Sequence, residues 1–178
     1  DLAAIEAELK QHLNPHLDLV RQVAGHILFS GGKRLRPLLL VLAARMCEYQ
    51  GNYDKTFSIS LEYLHAATLL HDDVVDTSDM RRGRSTANAK WGNAPSVLVG
   101  DFLYARAFEM MVELESLPIM NVLSRATAVI AEGEVMQLMN VKNPDLTEEQ
   151  YMQVIHNKTA MLFEAASHTG AQLAGASE

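Results

Sequence analysis

Three aspartates, Asp72, Asp73 and Asp76, lie close together in an otherwise apolar, helical-looking segment. Asp72 and Asp76 are four residues apart, so they project from one helix face with Cβ atoms roughly 5–6 Å apart. Asp73 lies about 100° around the helix and is less well placed. Two carboxylates at this spacing can share hard divalent cations and leave coordination positions for phosphate oxygens. Without a cation they repel by roughly 3 kcal/mol at an effective dielectric constant of 20. A metal is therefore the natural counter-charge, and the alternative is an acidic helix end in solvent.

Cations are concentrated in two short stretches of the chain. Six of the 15 lysines and arginines fall within residues 33–36 and 81–84. The second stretch begins only a few residues after Asp76, which leaves two interpretations open. The arginines could pair with the aspartates in a structural role, or both sets could face a polyanion, with metal on one side and guanidinium groups on the other. Diphosphate fits the second arrangement.

The composition excludes several classes of protein. The 178 residues carry a formal net charge of −7, which argues against binding nucleic acid through general electrostatics. Cys47 is the only cysteine, so no internal disulfide or cysteine–zinc framework is possible, and a reducing cytoplasm is expected. The sequence contains no apolar run of the roughly 18 residues that a membrane span requires. Both ends of the sequence look trimmed, so we expect residues 1–178 to be the N-terminal part of a single domain.

Hydrophobic periodicity predicts helices throughout and no strand. Asn14–Pro15, Pro37, Asp54, Pro95, Pro118 and the Thr147–Gln150 capping box mark the predicted helix starts. The predicted helices cover approximately 15–29, 37–50, 54–76, 95–115, 118–139 and 147–165 or beyond. Residues 77–93 are polar and are predicted to form a loop. The fold class is therefore all-α.

Several motifs resemble, in order and spacing, those of the trans-polyprenyl diphosphate synthases, most of all the bacterial octaprenyl members. The resemblance covers essentially the whole chain. It is carried by Gly31–Pro37, Glu62, His65, Asp72–Asp76, Arg81–Arg82, Val97–Asp101, Ala131–Val135 and Lys158–Ala160. It implies an isoprenoid-synthase helical bundle that acts as a homodimer. It also implies a reaction in which an allylic diphosphate, such as farnesyl diphosphate, ionises and is captured by isopentenyl diphosphate. The long all-trans product, octaprenyl diphosphate, would supply the ubiquinone side chain.

The resemblance also implies roles for individual residues on the allylic side. Asp72 and Asp76 would hold Mg²⁺ against the allylic diphosphate, and Arg81 would contact that diphosphate directly. Lys158 would face the same diphosphate, and the backbone near Thr159 is associated with the forming cation. Metal and cations together would stabilise the departing diphosphate.

Four further residues are implied to hold the diphosphate of isopentenyl diphosphate: Lys33, Arg36, His65 and Arg82. Lys33 and Arg36 are three residues apart, so one helical turn could aim both at one anion. His65 lies two turns before Asp72 and points to the same side. A lone histidine is more often a satisfied core residue, but its place in the motif series favours binding.

The resemblance also implies that the two residues one turn before the first aspartate help to set product length, because bulky side chains there block growth of the chain. Ala67 and Thr68 are both small, and at 1.5 Å rise per residue they lie roughly 6–7 Å below the metal site. Small residues there predict a long product. Met110, Met111 and Leu114, predicted on a later helix, are candidates for the floor of the tunnel.

Two alternatives remain. The sequence lacks the family's second aspartate-rich motif, so this piece alone is expected to be inactive, and a non-catalytic helical subunit of a heteromeric synthase is possible. Intact Asp72 and Asp76 argue against that alternative. The second treats His71–Asp72 as the metal doublet of a helical phosphohydrolase, with His65 as a further ligand. The arginines and lysines around the acids disfavour it.

Overall fold

The structure, a computed structural model, describes residues 1–13 and 15–176, which are mainly helical. In chain order the elements are α1 (Leu2–His12), α2 (Asp18–Leu28), α3 (Leu35–Met46), α4 (Tyr53–Val75), β1 (Met80–Arg81), β2 (Arg84–Ser85), α5 (Ala87–Trp91), α6 (Asn93–Val112), α7 (Leu117–Met139), α8 (Glu148–Ile155), a π-helical turn (His156–Ala160) and α9 (Met161–Leu173). The predicted all-α class is confirmed, with one small hairpin added to it.

Local sequence signals determine where several helices begin. Pro37, Pro95 and Pro118 all lie within the first three residues of α3, α6 and α7, where a proline nitrogen has no helical hydrogen bond to lose. The predicted capping box of α8 is present. The amide nitrogen of Gln150 donates to Thr147 Oγ1 over 3.2 Å, and the Thr147 amide donates to Gln150 Oε1 over 3.0 Å.

Two predicted helix starts were wrong. The second helix begins at Asp18 rather than at Pro15, and Asn14 lies outside the described residues. The residue before Asp18 is extended, and the Asp18 carboxylate favours a helix start at that point. Asp54 is not a cap but the second residue of α4. It is buried, and its carboxylate lies 4.0 Å from Arg45 Nε.

The prediction of a loop over residues 77–93 was also wrong. The strands β1 and β2 form an antiparallel hairpin, and α5 follows it. Thr86 joins the two elements, because its hydroxyl donates to Ser78 O over 2.7 Å and also caps α5. Strands of two residues are too short for a period-two pattern to be visible in the sequence.

The chain divides into two compact units, each with its own core. The first comprises residues 1–38 and 55–115, and the second comprises residues 39–54 and those from 116 onward. Fully buried side chains of the first unit include Leu64, Leu70 and Leu103. In the second unit, α7 packs against α8, the π-helical turn and α9. Among the described residues, none of the helices combines the length and apolar character needed to cross a bilayer.

Candidate active site

The acidic pair lies at the C-terminal end of α4. Asp72 is half-buried on the helix and Asp76 is exposed directly after it. The Asp76 amide donates to Asp72 O over 2.7 Å, so the helical turn continues and the predicted one-turn spacing is kept. A helix C-terminus carries partial negative charge, and the last turn of α4 contains no basic residue to offset it. The carboxylates and the helix end therefore favour a bound cation, and carboxylate oxygens are the ligands that Mg²⁺ prefers.

The third aspartate, Asp73, forms an ion pair within the protein. Asp73 is buried, and Arg81 donates to both of its carboxylate oxygens, with Nε at 3.0 and 3.1 Å and Nη2 at 2.9 Å. This is the bidentate geometry in which an arginine–carboxylate pair is strongest. The structural interpretation left open by the sequence therefore applies to Arg81, whose side chain is still 29% exposed. In the sequence, this pairing was signalled by the proximity of the two motifs alone.

The hairpin positions the next arginine. Arg82 and Gly83 form its two-residue turn with φ angles of 51° and 76°, and a turn with two positive φ angles matches the twist of the flanking strands. Arg82 Nη1 donates to Gly31 O, in the loop between α2 and α3. His26 of α2 also bonds Ser85 O over 2.8 Å. The hairpin thus brings Arg82 to the loop that leads into the first basic stretch.

The glycine loop fits closely between two guanidinium groups. A Cβ atom at Gly32 would lie 3.3 Å from Nη1 of both Arg34 and Arg82. Lys33, next in the chain, is exposed, whereas Arg36 is half-buried in the first turn of α3. Arg82 therefore lies against the backbone of the loop that immediately precedes Lys33.

His65 lies within the field of this cluster. Burial, followed by the positive charges of Arg36, Arg82, Arg81 and Arg34 in that order, lowers the pKa of the imidazole to about 3. The imidazole is consequently neutral at pH 7 and can still donate one hydrogen bond. The structure thus brings Arg36, Arg81 and Arg82 close to His65 in the first unit, and an anion would relieve the repulsion among the arginines.

Lys158 and Thr159 lie in the second unit, on the π-helical turn rather than in a regular α-helix. Single π turns inside helices occur frequently at functional sites. Lys158 Nζ donates to Glu134 Oε2 of α7 over 2.7 Å. A Cβ atom at Gly133 would lie 2.9 Å from the Lys158 amide nitrogen, so α7 approaches the backbone of the turn closely. The sequence showed no interruption of this helix.

The candidate chain-length residues lie on the same helix as the acids. Ala67 is fully buried, while Thr68 is half-buried and donates to His65 O over 2.8 Å. Met110 and Met111 are buried on α6. Leu114 lies in the turn after α6, so its predicted place on that helix was wrong.

His71 faces α6. Its Nε2 lies 3.2 Å from Asp101 Oδ1 and 3.2 Å from Val97 O, and a Cβ atom at Gly100 would meet the ring at 2.3 Å. Because the imidazole of His71 packs against α6 and bonds to groups on it, His71 is poorly placed to act as a metal ligand. This weighs against the phosphohydrolase alternative. Within the described residues, no group of three histidine, cysteine, aspartate or glutamate side chains could hold a metal ion.

The sequence and the fold agree with those of known proteins. Residues 17–178 match the polyprenyl synthetase family, and the chain belongs to that family. It is 57% identical over 175 residues to the octaprenyl diphosphate synthase of Escherichia coli (strain K12), which covers 98% of this chain and 54% of the relative. It is 51% identical over 178 residues to the corresponding Haemophilus influenzae enzyme, which covers 100% of this chain and 54% of the relative.

Solved structures support the same assignment. A polyprenyl synthase from Caulobacter crescentus CB15, complexed with calcium and isoprenyl diphosphate, aligns with a TM-score of 0.95 and 45% identity over 99% of this chain and 54% of that one. The predicted isoprenoid-synthase fold is therefore confirmed. The chain spans about half the length of these relatives.

Proposed function

We propose that the full-length protein containing this chain condenses isopentenyl diphosphate onto an allylic diphosphate, with farnesyl diphosphate as starter. The product is a long all-trans polyprenyl diphosphate, octaprenyl diphosphate, destined for the ubiquinone side chain. One observation carries the proposal: Arg36, His65 and Arg82 form a cationic cluster in the same unit as an acidic pair at the end of α4. The octaprenyl relatives and the isoprenyl diphosphate in the Caulobacter crescentus structure support the choice of substrate.

Asp72 and Asp76 are the residues that would hold Mg²⁺. Bound there, the ion would neutralise charge on the leaving diphosphate. The chain contributes the negative end of α4 and two carboxylates that, without a cation, repel each other. Arg81, held in place by Asp73, presents its remaining exposed surface to the allylic diphosphate. Lys158 and Thr159, on the π-helical turn of the second unit, are assigned to the allylic diphosphate by the family resemblance: Lys158 offers a cation and Thr159 a backbone group.

The second diphosphate, that of isopentenyl diphosphate, is assigned to Lys33, Arg36, His65 and Arg82. The arginines supply permanent charge and planar donor pairs suited to phosphate oxygens. His65 supplies a neutral donor, because the neighbouring arginines disfavour the imidazolium form. Separate anion sites keep the two substrates apart until the allylic carbon ionises.

Product length is assigned to Ala67 and Thr68, with Met110 and Met111 as candidates for the tunnel floor. A larger side chain at position 67 would fill space on α4 one turn before Asp72. We expect Ala67→Phe to shorten the products, as measured by chromatographic sizing of the polyprenyl chains. An unchanged product distribution from a folded variant would remove Ala67 from this role.

The working form is assigned as a cytoplasmic homodimer. Sedimentation analysis of the full-length protein tests the oligomeric state, and a monomer that retains full activity would contradict it. The outcome is independent of the chemistry, since activity is measured separately.

The decisive experiment incubates the full-length protein with farnesyl diphosphate, labelled isopentenyl diphosphate and Mg²⁺. We expect labelled long-chain products, and their loss when Mg²⁺ is removed by a chelator. Asp72→Ala and Asp76→Ala should each abolish elongation. Asp79→Ala is the matched control, because Asp79 is exposed in the same connecting segment. Wild-type elongation by the double variant at positions 72 and 76 would refute the proposal.

A further inference from the structure

Arg34 is a buried arginine whose partners come from three separate segments. Its Nε donates to Glu6 Oε1 of α1 over 2.5 Å, and its Nη1 donates to Glu62 Oε1 of α4 over 2.7 Å. Its Nη2 donates to the carbonyl of Leu28 at the end of α2. The backbone of Arg34 has a φ of 49°, which L-residues adopt only when their surroundings compensate the strain. The three bonds provide that compensation.

Glu62 stands between Arg34 and a residue of the diphosphate cluster. Its side chain is only 9% exposed, so solvent screens its charge poorly. Burial lowers the pKa of the Arg36 guanidinium, and the charge of the Glu62 carboxylate, which also contacts Arg34 directly, opposes that lowering. One carboxylate is therefore shared electrostatically by a structural arginine and by an arginine assigned to substrate.

The loop that carries Lys33 depends on Arg34 as well. A Cβ atom at Gly32 would lie 3.3 Å from Arg34 Nη1, and the same position faces Arg82 Nη1 at 3.3 Å. Arg34 thus supports the loop on one side while Arg82 holds it on the other through Gly31 O.

We propose that Arg34 is a positioning residue for isopentenyl diphosphate: by neutralising Glu62, it keeps that buried carboxylate from competing with the substrate's diphosphate for Arg36. This inference rests on the proposed function and extends it to a residue that touches no substrate. Glu6 fixes the other side of the guanidinium, so α1 takes part in shaping the site. Removal of Arg34 leaves Glu62 uncompensated beside Arg36, and the apparent affinity for the diphosphate falls.

The test uses the full-length protein in steady-state prenyl transfer, with each substrate varied while the other is saturating. For Arg34→Gln we expect the KM for isopentenyl diphosphate to rise roughly tenfold, within the range of coupling between contacting residues. The KM for farnesyl diphosphate should change by less than about twofold, because the uncompensated charge lies beside Arg36. Arg21→Gln is the matched control, since Arg21 is exposed on α2 and its guanidinium pairs with Asp18 of the same helix.

A compensating substitution separates this role from simple support of the fold. Glu62→Gln removes the competing charge. The double variant Arg34→Gln/Glu62→Gln should therefore return the KM for isopentenyl diphosphate to within about threefold of wild type, whereas two independent losses would add. Arg34→Lys, which keeps the charge, should also retain most of the affinity. If Arg34→Gln does not fold, the double variant carries the test, because it removes the buried Arg34–Glu62 pair together and deprives only Glu6, whose side chain is 38% exposed, of its arginine partner.

Three results would overturn the inference. The first is a KM for isopentenyl diphosphate that stays roughly tenfold or more above wild type in the double variant. The second is an equal change in the KM values for both substrates in Arg34→Gln. The third is an unchanged KM for isopentenyl diphosphate in folded Arg34→Gln. Failure of the proposed function looks different, since wild-type protein would then transfer no prenyl groups. In that case calorimetric titration of the same variants with isopentenyl diphosphate still measures the effect of Arg34 on binding.

Discussion

Arg82 allows the binding role of a residue to be separated from its structural role. It is the first residue of the hairpin turn, with a φ of 51°, and is followed by Gly83. Asparagine tolerates this backbone region better than other residues with a Cβ atom, and Asn–Gly is a preferred sequence for this turn. Arg82→Asn should therefore keep the hairpin, or stabilise it by up to about 1 kcal/mol. What it removes is the guanidinium beside Gly31.

The expected loss in binding follows from the chemistry of the contact. A hydrogen bond to a charged group contributes about 1.5–3 kcal/mol, and each 1.4 kcal/mol corresponds to a tenfold change in affinity. The KM for isopentenyl diphosphate should rise about 10- to 100-fold in Arg82→Asn, with the KM for farnesyl diphosphate nearly unchanged. Initial-rate measurements on the full-length protein, with each substrate varied in turn, provide both values.

The control for this prediction lies in the same hairpin. Arg84 is exposed on β2, so Arg84→Asn removes an equal charge away from the Gly31 loop. A thermal melt of each variant establishes that the hairpin and the fold persist. If folded Arg82→Asn had the same KM for isopentenyl diphosphate as Arg84→Asn, the assignment of Arg82 to that substrate would be refuted.

Three further perturbations test the packing and the electrostatics. Asp73→Asn should lower the free energy of unfolding by about 2–3 kcal/mol, less than for a fully buried pair because Arg81 is partly exposed; a denaturant titration showing no loss would contradict this. Because the folded pKa of His65, about 3, lies below the unfolded value near 6.5, the unfolded state binds the extra proton between these pH values. The free energy of unfolding should fall by up to about 2 kcal/mol from pH 7 to pH 5. If it fell equally with pH in wild type and in His65→Gln, His65 would not be the cause. In Gly133→Ala, the added Cβ would lie 2.8 Å from a side-chain atom of the π-helical turn that packs against α7. The free energy of unfolding should therefore fall by about 1–3 kcal/mol. Gly25→Ala, with its nearest contact at 3.8 Å, should be neutral or stabilising in the same unfolding assay.

Much of the helical framework was predictable because its signals are local. A proline in the first turn restricts the backbone whatever surrounds it, and the predicted starts of α3, α6 and α7 were correct to within two residues. The capping box of α8 was visible for the same reason, since Thr147 and Gln150 satisfy each other's backbone amides. The one-turn spacing of Asp72 and Asp76 also follows from helix geometry alone.

The remaining features depend on partners distant in the sequence. The hairpin has strands of two residues, and its Arg82–Gly83 turn is held by a carbonyl 51 residues away. Arg34 cannot be distinguished from its basic neighbours by sequence, because its role is fixed by Glu62, 28 residues later. The π-helical turn accompanies the close approach of Gly133, which a helical hydrophobic pattern does not reveal.

The balance of charge in the first unit explains why a protein of net charge −7 would bind diphosphate at all. Arg34 and Arg81 are neutralised by buried carboxylates, and those pairs fix the backbone around them. His65 responds to the cluster by remaining neutral, because a further positive charge beside the arginines is costly. At the C-terminal end of α4, Asp72 and Asp76 create an excess of negative charge, which favours a metal ion. Beside Arg36 and Arg82 the excess charge is positive, which favours a polyanion. A metal–diphosphate complex therefore suits the acidic end and a metal-free diphosphate suits the arginines, which is the division between the two substrates proposed above.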